Sequence, residues 1–136
     1  MDLQKYNGNI HPDEWINDII ANFNYNNKDI VNSFNIAKSL VDPAIKLPAE
    51  VDDYEKFHDI FKEDISFTIF KNTNKRMLKF LKYVTEREGG KTSKFISDFR
   101  KLCYNAEIND IEEQKKYLYK SLPMNLIISQ PNFSRK

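Results

Sequence analysis

The sequence predicts an all-α protein of about seven helices. Three observations point there. Apolar residues recur at three- and four-residue spacing along most of the chain. Glycine (3) and proline (5) are too scarce for a sandwich or barrel built from many tight turns. Capping residues stand ahead of several of the apolar stripes.

The first helix is announced by Ile10-His11-Pro12-Asp13-Glu14-Trp15. Proline suits the first turn because its missing N–H would be unpaired there, and Asp13 and Glu14 complement the positive end of the dipole. Trp15, Ile16, Ile19, Ile20 and Phe23 form its stripe. Asn26-Asn27 breaks the pattern and is expected to cap a second helix carrying Ile30, Val31, Phe34, Ala37, Leu40 and Val41. Asp42-Pro43 starts a short piece that ends at Leu47-Pro48. A helix over 52–64 places Tyr54, Phe57, Ile60 and Phe61 inward, with Asp52 and Asp53 at its N-cap.

Ser66-Phe67-Thr68-Ile69-Phe70 has strand-like residues but no partner strand, and reads as a linker or the tail of the preceding helix. Residues 72–74 mark a boundary. From there a basic amphipathic helix is expected to about Glu86, with Met77, Leu78, Leu81 and Val84 on one side and Lys75, Lys79 and Lys82 on another. Gly89-Gly90 stops it, and Thr92-Ser93 starts a helix with Phe95, Ile96, Phe99, Leu102, Cys103 and Ala106 as its stripe. Asn109-Asp110-Ile111-Glu112 reads as a capping box for a last helix, carrying Ile111, Tyr117 and Leu118 and ending near Leu122-Pro123. Residues 124–136 hold Leu126, Ile127 and Ile128 with little periodicity.

At 136 residues and 16.1 kDa the chain has the size of one ordinary domain or two very small ones. Charge favours two. Residues 1–70 carry 6 Lys/Arg against 13 Asp/Glu, a net of −7, and residues 71–136 carry 15 against 7, a net of +8. The expected organisation is an acidic unit over 1–70 and a basic unit over 71–136, with attraction between unlike units of neighbouring copies. Phe (10), Tyr (7) and Trp (1) are too many for two small units to bury fully, so some should line a groove or an oligomer interface.

No stretch approaches the roughly 18 apolar residues that cross a bilayer, and Met1-Asp2-Leu3-Gln4-Lys5 lacks the pattern of a secretory signal. One cysteine, Cys103, excludes a disulfide framework and a Cys-based zinc site within the chain. A reducing, cytoplasmic setting is the expectation.

Catalytic chemistry finds no support, and neither a catalytic residue, a metal ligand set nor a cofactor is expected. The two histidines, His11 and His58, lack metal-ligand spacing, and His58 is expected to be solvated on a charged face. Gly90-Lys91-Thr92 resembles the end of a phosphate-binding loop, but that loop needs glycine where Thr85 stands and a buried strand before it. Asp52 and Asp53 are adjacent, so they point apart on a helix and serve better as caps. Cys103 falls on an apolar stripe, as a buried inert thiol would. The basic run is the one site-like feature. Lys75, Arg76, Lys79 and Lys82 head a patch able to neutralise phosphates without reading sequence, as RNA contact requires; solvation or contact with an acidic unit explains it equally well.

The motifs resemble a family in their order. Tyr6-Asn7-Gly8-Asn9-Ile10-His11-Pro12-Asp13-Glu14-Trp15 resembles the aromatic-x-Gly…Pro-x-x-Trp opening of Gag capsid proteins of gypsy-type LTR retrotransposons. Thr92 to Cys103, with Phe99-Arg100-Lys101-Leu102 as its F-R-x-L, resembles a helix of that family, and Tyr117 to Pro123, ending in Leu122-Pro123, resembles its close. The resemblance spans about residues 6–123. It implies two helical lobes of retroviral capsid type that self-associate into shells around RNA. Domesticated relatives bind partner peptides in an N-lobe groove, which by position would involve Tyr6, Ile10, Trp15 and Phe34. The Cys/His zinc knuckle and the aspartic protease motif that accompany many Gag proteins are absent from this sequence. Only 13 residues follow Leu122-Pro123, so a shortened C-lobe is expected.

Overall fold

A computed structural model describes residues 3–26, 29–48 and 51–123. Among these the chain is all-helical: α1 (Pro12–Tyr25), α2 (Ile30–Ser39), α3 (Tyr54–Glu63), α4 (Ile65–Phe80), α5 (Thr92–Asn105) and α6 (Ile111–Ser121), with one 3-10 turn at Glu86–Glu88. The chain divides into two compact units, one ending at Phe70 and the other beginning at Lys71. Residues 124–136, including the apolar Leu126-Ile127-Ile128, lie outside the described residues.

In the first unit, α1 begins where Pro12 predicts. Its N-cap is His11, whose Nδ1 accepts the Asp13 backbone N–H at 3.0 Å, so the imidazole does the work usually given to Ser or Asp. At the far end the Asn26 N–H closes onto the Asn22 carbonyl. The cap of α2 is Asp29 rather than Asn26-Asn27: its carboxylate accepts from the Asn32 N–H at 2.8 Å, which Asn26 is too early in the chain to reach. Asp42-Pro43 makes a single turn, with the Asp42 side chain accepting from Ala44 N–H and its carbonyl from Ile45 N–H. Asp53 caps α3 by accepting from Lys56 N–H at 2.9 Å.

Aromatic stacking dominates this core. Phe57 and Phe61, one turn apart on α3, stack at 5.5 Å. Phe34 and Tyr54 continue the stack at one end, and Tyr6 closes the other at 4.0 Å from Phe61. Trp15 from α1 meets Phe57 and Phe61 edge-on, the arrangement that ring quadrupoles favour. The segment before α1 is held by a two-bond bridge: Tyr6 N–H donates to Leu40 C=O and Asp42 N–H to Tyr6 C=O, both at 2.8 Å. Gly8 follows at φ +94, and a Cβ there would sit 2.6 Å from Ser66 Cβ, so both conformation and space require glycine.

The boundary expected at 72–74 falls slightly earlier, between Phe70 and Lys71, and does not interrupt the helix. Helix α4 runs from Ile65 through those asparagines to Phe80, and the unit boundary falls inside it. Asp64 starts it, accepting from both the N–H and the hydroxyl of Ser66. Phe67, Asn74 and Leu78 are buried at i, i+7 and i+11, a helical spacing that outweighs the weak propensity of Asn72, Thr73 and Asn74. Nor does this helix reach Glu86. Tyr83, Val84 and Thr85 are poor helix formers, and the Tyr83 N–H is drawn to Ser121 C=O at 2.8 Å. The turn that follows ends on Gly89 at φ +95.

The second unit has a small core of Leu78, Leu102, Cys103, Ile108 and Tyr117, backed by Leu81, Phe99 and Ala106. Thr92 is the first residue of α5, after the N-cap Lys91, and its hydroxyl is hydrogen-bonded to Tyr83 OH at 2.9 Å. At the other end the Glu107 N–H bonds Tyr104 C=O and the Ile108 N–H bonds Cys103 C=O, a Schellman closure with Glu107 left-handed at φ 55. The cap of α6 is Asp110, accepting from Glu113 N–H, one residue later than the Asn109–Glu112 register expected.

Candidate functional site

The four residues expected at a partner groove come together, but as interior. Tyr6, Trp15 and Phe34 are 0%, 1% and 8% exposed. Ile10 packs partly buried against the same cluster. The Trp15 indole N–H donates to Gln4 C=O at 2.7 Å, pinning the N-terminal segment over α1. The space beside Trp15 is therefore filled by Tyr6, Phe57 and Phe61 of the same unit. Burial, with the Asp64 carboxylate close by, pushes the Tyr6 phenol up to about 12.

His58 and Asp52 both pair with other side chains of the first unit. His58 is not simply solvated: it is a quarter exposed, and its Nδ1 lies 2.7 Å from Asp13 Oδ1, with Lys62 Nζ at 3.3 Å from the same oxygen. These contacts tie α3 to the start of α1. Asp52 pairs with Lys56 at 2.7 Å, whose ammonium holds the carboxyl below its ordinary value. In the second unit Cys103 is buried, and desolvation, then the nearby Glu113 charge, raises its thiol pKa, the reverse of an activated nucleophile.

Lys75, Arg76, Lys79 and Lys82 are all exposed. The first three lie on α4, with Lys75 and Lys79 one turn apart. Lys82 lies past the helix end and leaves the face expected of it: its ammonium reaches Lys120 C=O at 3.2 Å, near the C-terminal end of α6 where a cation is favoured. Arg76 lies 5.9 Å above the exposed Phe80 ring.

What the sequence reading missed is a groove between α4 and α5. It measures about 610 Å³ and is lined by Thr73, Arg76, Met77, Phe80, Leu81, Asp98, Lys101 and Leu102. Phe80 is 69% and Met77 53% exposed, although Met77 was expected on one side with Leu78, which is buried. A smaller hollow of about 150 Å³ adjoins it, sharing Leu81 and Asp98 and reaching Val84 and Phe95. The combination is an apolar floor of Met77, Phe80, Leu81 and Leu102 lined as well by Arg76, Lys101 and the carboxylate of Asp98. The signal for it was the surplus of aromatics, but its position depends on where α4 stops.

Among the described residues no helix is long and apolar enough to cross a membrane. Comparison with protein-family models, with curated proteins and with solved structures returns no match.

Proposed function

We propose that this chain is a non-enzymatic, Gag-like capsid structural protein that acts in the cytoplasm by self-association. The observation that carries this reading is the coincidence of two boundaries. The chain divides structurally between Phe70 and Lys71, where its charge changes from a net of −7 to a net of +8. Each unit thus has a net charge of one sign, and in this reading unlike units of neighbouring copies attract. Such attraction sets orientation and association rate more than affinity. Affinity requires apolar anchors, and aromatic, Met and Arg side chains are the types enriched at interfaces. Phe80, Met77 and Arg76 supply them on α4. In this reading the units are the N- and C-lobes implied by the Tyr6–Trp15 and Thr92–Cys103 resemblances.

A second reading, RNA contact, is favoured by the exposure of Lys75, Arg76 and Lys79. It is compatible with the first, since a shell around RNA needs both. An adaptor that captures a host peptide beside Trp15 has less support, because Tyr6, Phe57 and Phe61 occupy that space. The test is molar mass against concentration at low and high salt. Growth above 16.1 kDa that salt suppresses supports the reading, and a mass constant under all conditions refutes it.

A further inference from the structure

We infer that Asn7 is a self-modification site: the Gly8 backbone nitrogen closes on its side chain, ammonia leaves, and the isoaspartate that forms loosens the segment anchored by Tyr6. Of the 15 asparagines in the sequence, only Asn7 precedes a glycine. Asparagine is among the chemically labile residues, and its loss is limited by access of the next residue's nitrogen to the side-chain carbonyl carbon. A Cβ on that next residue obstructs the approach, and Gly8 has none. The fold supplies the rest. Asn7 is exposed, and its Oδ1 accepts the Asn9 N–H at 3.1 Å. That hydrogen bond polarises the carboxamide and holds it over Gly8 in a closed turn, with Gly8 left-handed at φ +94. The Gly8 N–H makes no backbone hydrogen bond among the described residues. Asn17 and Asn74 lie instead inside α1 and α4, where the next N–H is tied into the helix ladder.

Hydroxide takes the Gly8 amide proton, and the nitrogen attacks Asn7 Cγ. The N–Cγ bond forms, the Cγ–Nδ2 bond breaks, and the departing group takes a proton from water and leaves as ammonia. Water then opens the cyclic imide. Addition at Cγ gives Asp; addition at the main-chain carbonyl gives isoaspartate, whose backbone runs through Cβ. The net reaction consumes one water and releases one ammonia, with no oxidation or reduction. Isoaspartate thus adds one atom to the backbone where both neighbours are fixed. On one side Tyr6 is held by its bonds to Leu40 and Asp42, both at 2.8 Å, and stacks on Phe61. On the other, Gly8 lies against Ser66. The extra atom is accommodated only by giving up one of these contacts. The inference concerns the first unit by itself, goes beyond self-association and stands whether or not the chain associates.

The full chain is aged in mildly alkaline buffer, folded or unfolded in urea, and digested for mass spectrometry. In the folded chain the peptide holding Asn7 should gain the mass difference between a hydroxyl and an NH2 group, ahead of every other asparagine peptide. A protein isoaspartyl methyltransferase, which does not methylate ordinary Asp, should label that peptide. The aged chain should unfold at a lower urea midpoint than the fresh one. Asn7→Asp, with the same added charge on an ordinary backbone, should keep the fresh midpoint. Survival of Asn7 in the folded chain, whether or not the unfolded chain loses it, overturns the inference. So does an isoaspartate-containing chain whose midpoint has not moved.

Discussion

Replacing Trp15 with alanine and replacing Phe80 with alanine each delete one aromatic ring, yet the costs should differ by several kcal/mol. Trp15 is 1% exposed and sits 5.6 Å from Tyr6, 6.3 Å from Phe57 and 5.6 Å from Phe61. Deleting a buried ring of this size costs about 3–5 kcal/mol, and the Gln4 carbonyl also loses its donor. A unit of this length has about 4–10 kcal/mol of stability at the usual value per residue, so Trp15→Ala should leave the first unit barely folded or unfolded. Trp15→Phe keeps most of the packing and loses the N–H, for about 1–2 kcal/mol. Phe80, 69% exposed, should cost less than about 0.5 kcal/mol. Urea unfolding followed by far-UV circular dichroism reads all three without needing the lone tryptophan as a probe. A Trp15→Ala chain as stable as its parent to within about 0.5 kcal/mol would refute the assignment of Trp15 to the core, and would return it to the surface role that its motif suggests.

Four further outcomes follow from the same contacts. The folded chain holds the Tyr6 proton to about pH 12 while the unfolded chain releases it near 10.0, so stability is intact below pH 10 and falls by about 2–3 kcal/mol as pH rises through that window. Tyr6→Phe should remove this component of the alkaline loss in unfolding curves taken from pH 9 to 12. Asp53→Ala and Asp110→Ala should each cost about 1 kcal/mol in the same assay, as lost N-caps. Gly8→Ala should cost more than about 1 kcal/mol, since it adds a Cβ against Ser66 at a left-handed position. Lys75→Glu with Lys79→Glu and Lys82→Glu should leave stability nearly unchanged. If the chain binds RNA through them, its affinity should collapse and the salt slope of binding should fall by about 2; unchanged RNA affinity would sink that reading.

Local signals made part of this fold legible. Pro12 and Asp53 mark helix starts through chemistry that involves only the next few residues, and α1 and α3 begin where those signals say. Gly89 likewise closes a turn by its own conformational freedom. The continuity of α4 was not legible, because Asn72-Thr73-Asn74 reads as a break until the burial of Phe67, Asn74 and Leu78 is known. Its end at Phe80 depends on a hydrogen bond from Tyr83 to Ser121, 38 residues away. The groove was not legible either: Met77 shares α4 with the buried Leu78 yet is exposed, and the expected run to Glu86 had put Lys82 with Lys75 and Lys79. Tyr6, Trp15 and Phe34 share one core cluster, but motif order carried no information on whether they face solvent. That distinction is set by Phe57 and Phe61 arriving from α3.

Self-association of oppositely charged units is tested most directly by sedimentation velocity on the full chain over a hundredfold concentration range, at salt low and high enough to move the Debye length from about 30 Å to about 3 Å. The expected result is a weight-average mass that rises above 16.1 kDa with concentration at low salt and returns toward it at high salt. A single 16.1 kDa species at every concentration and salt would contradict the account.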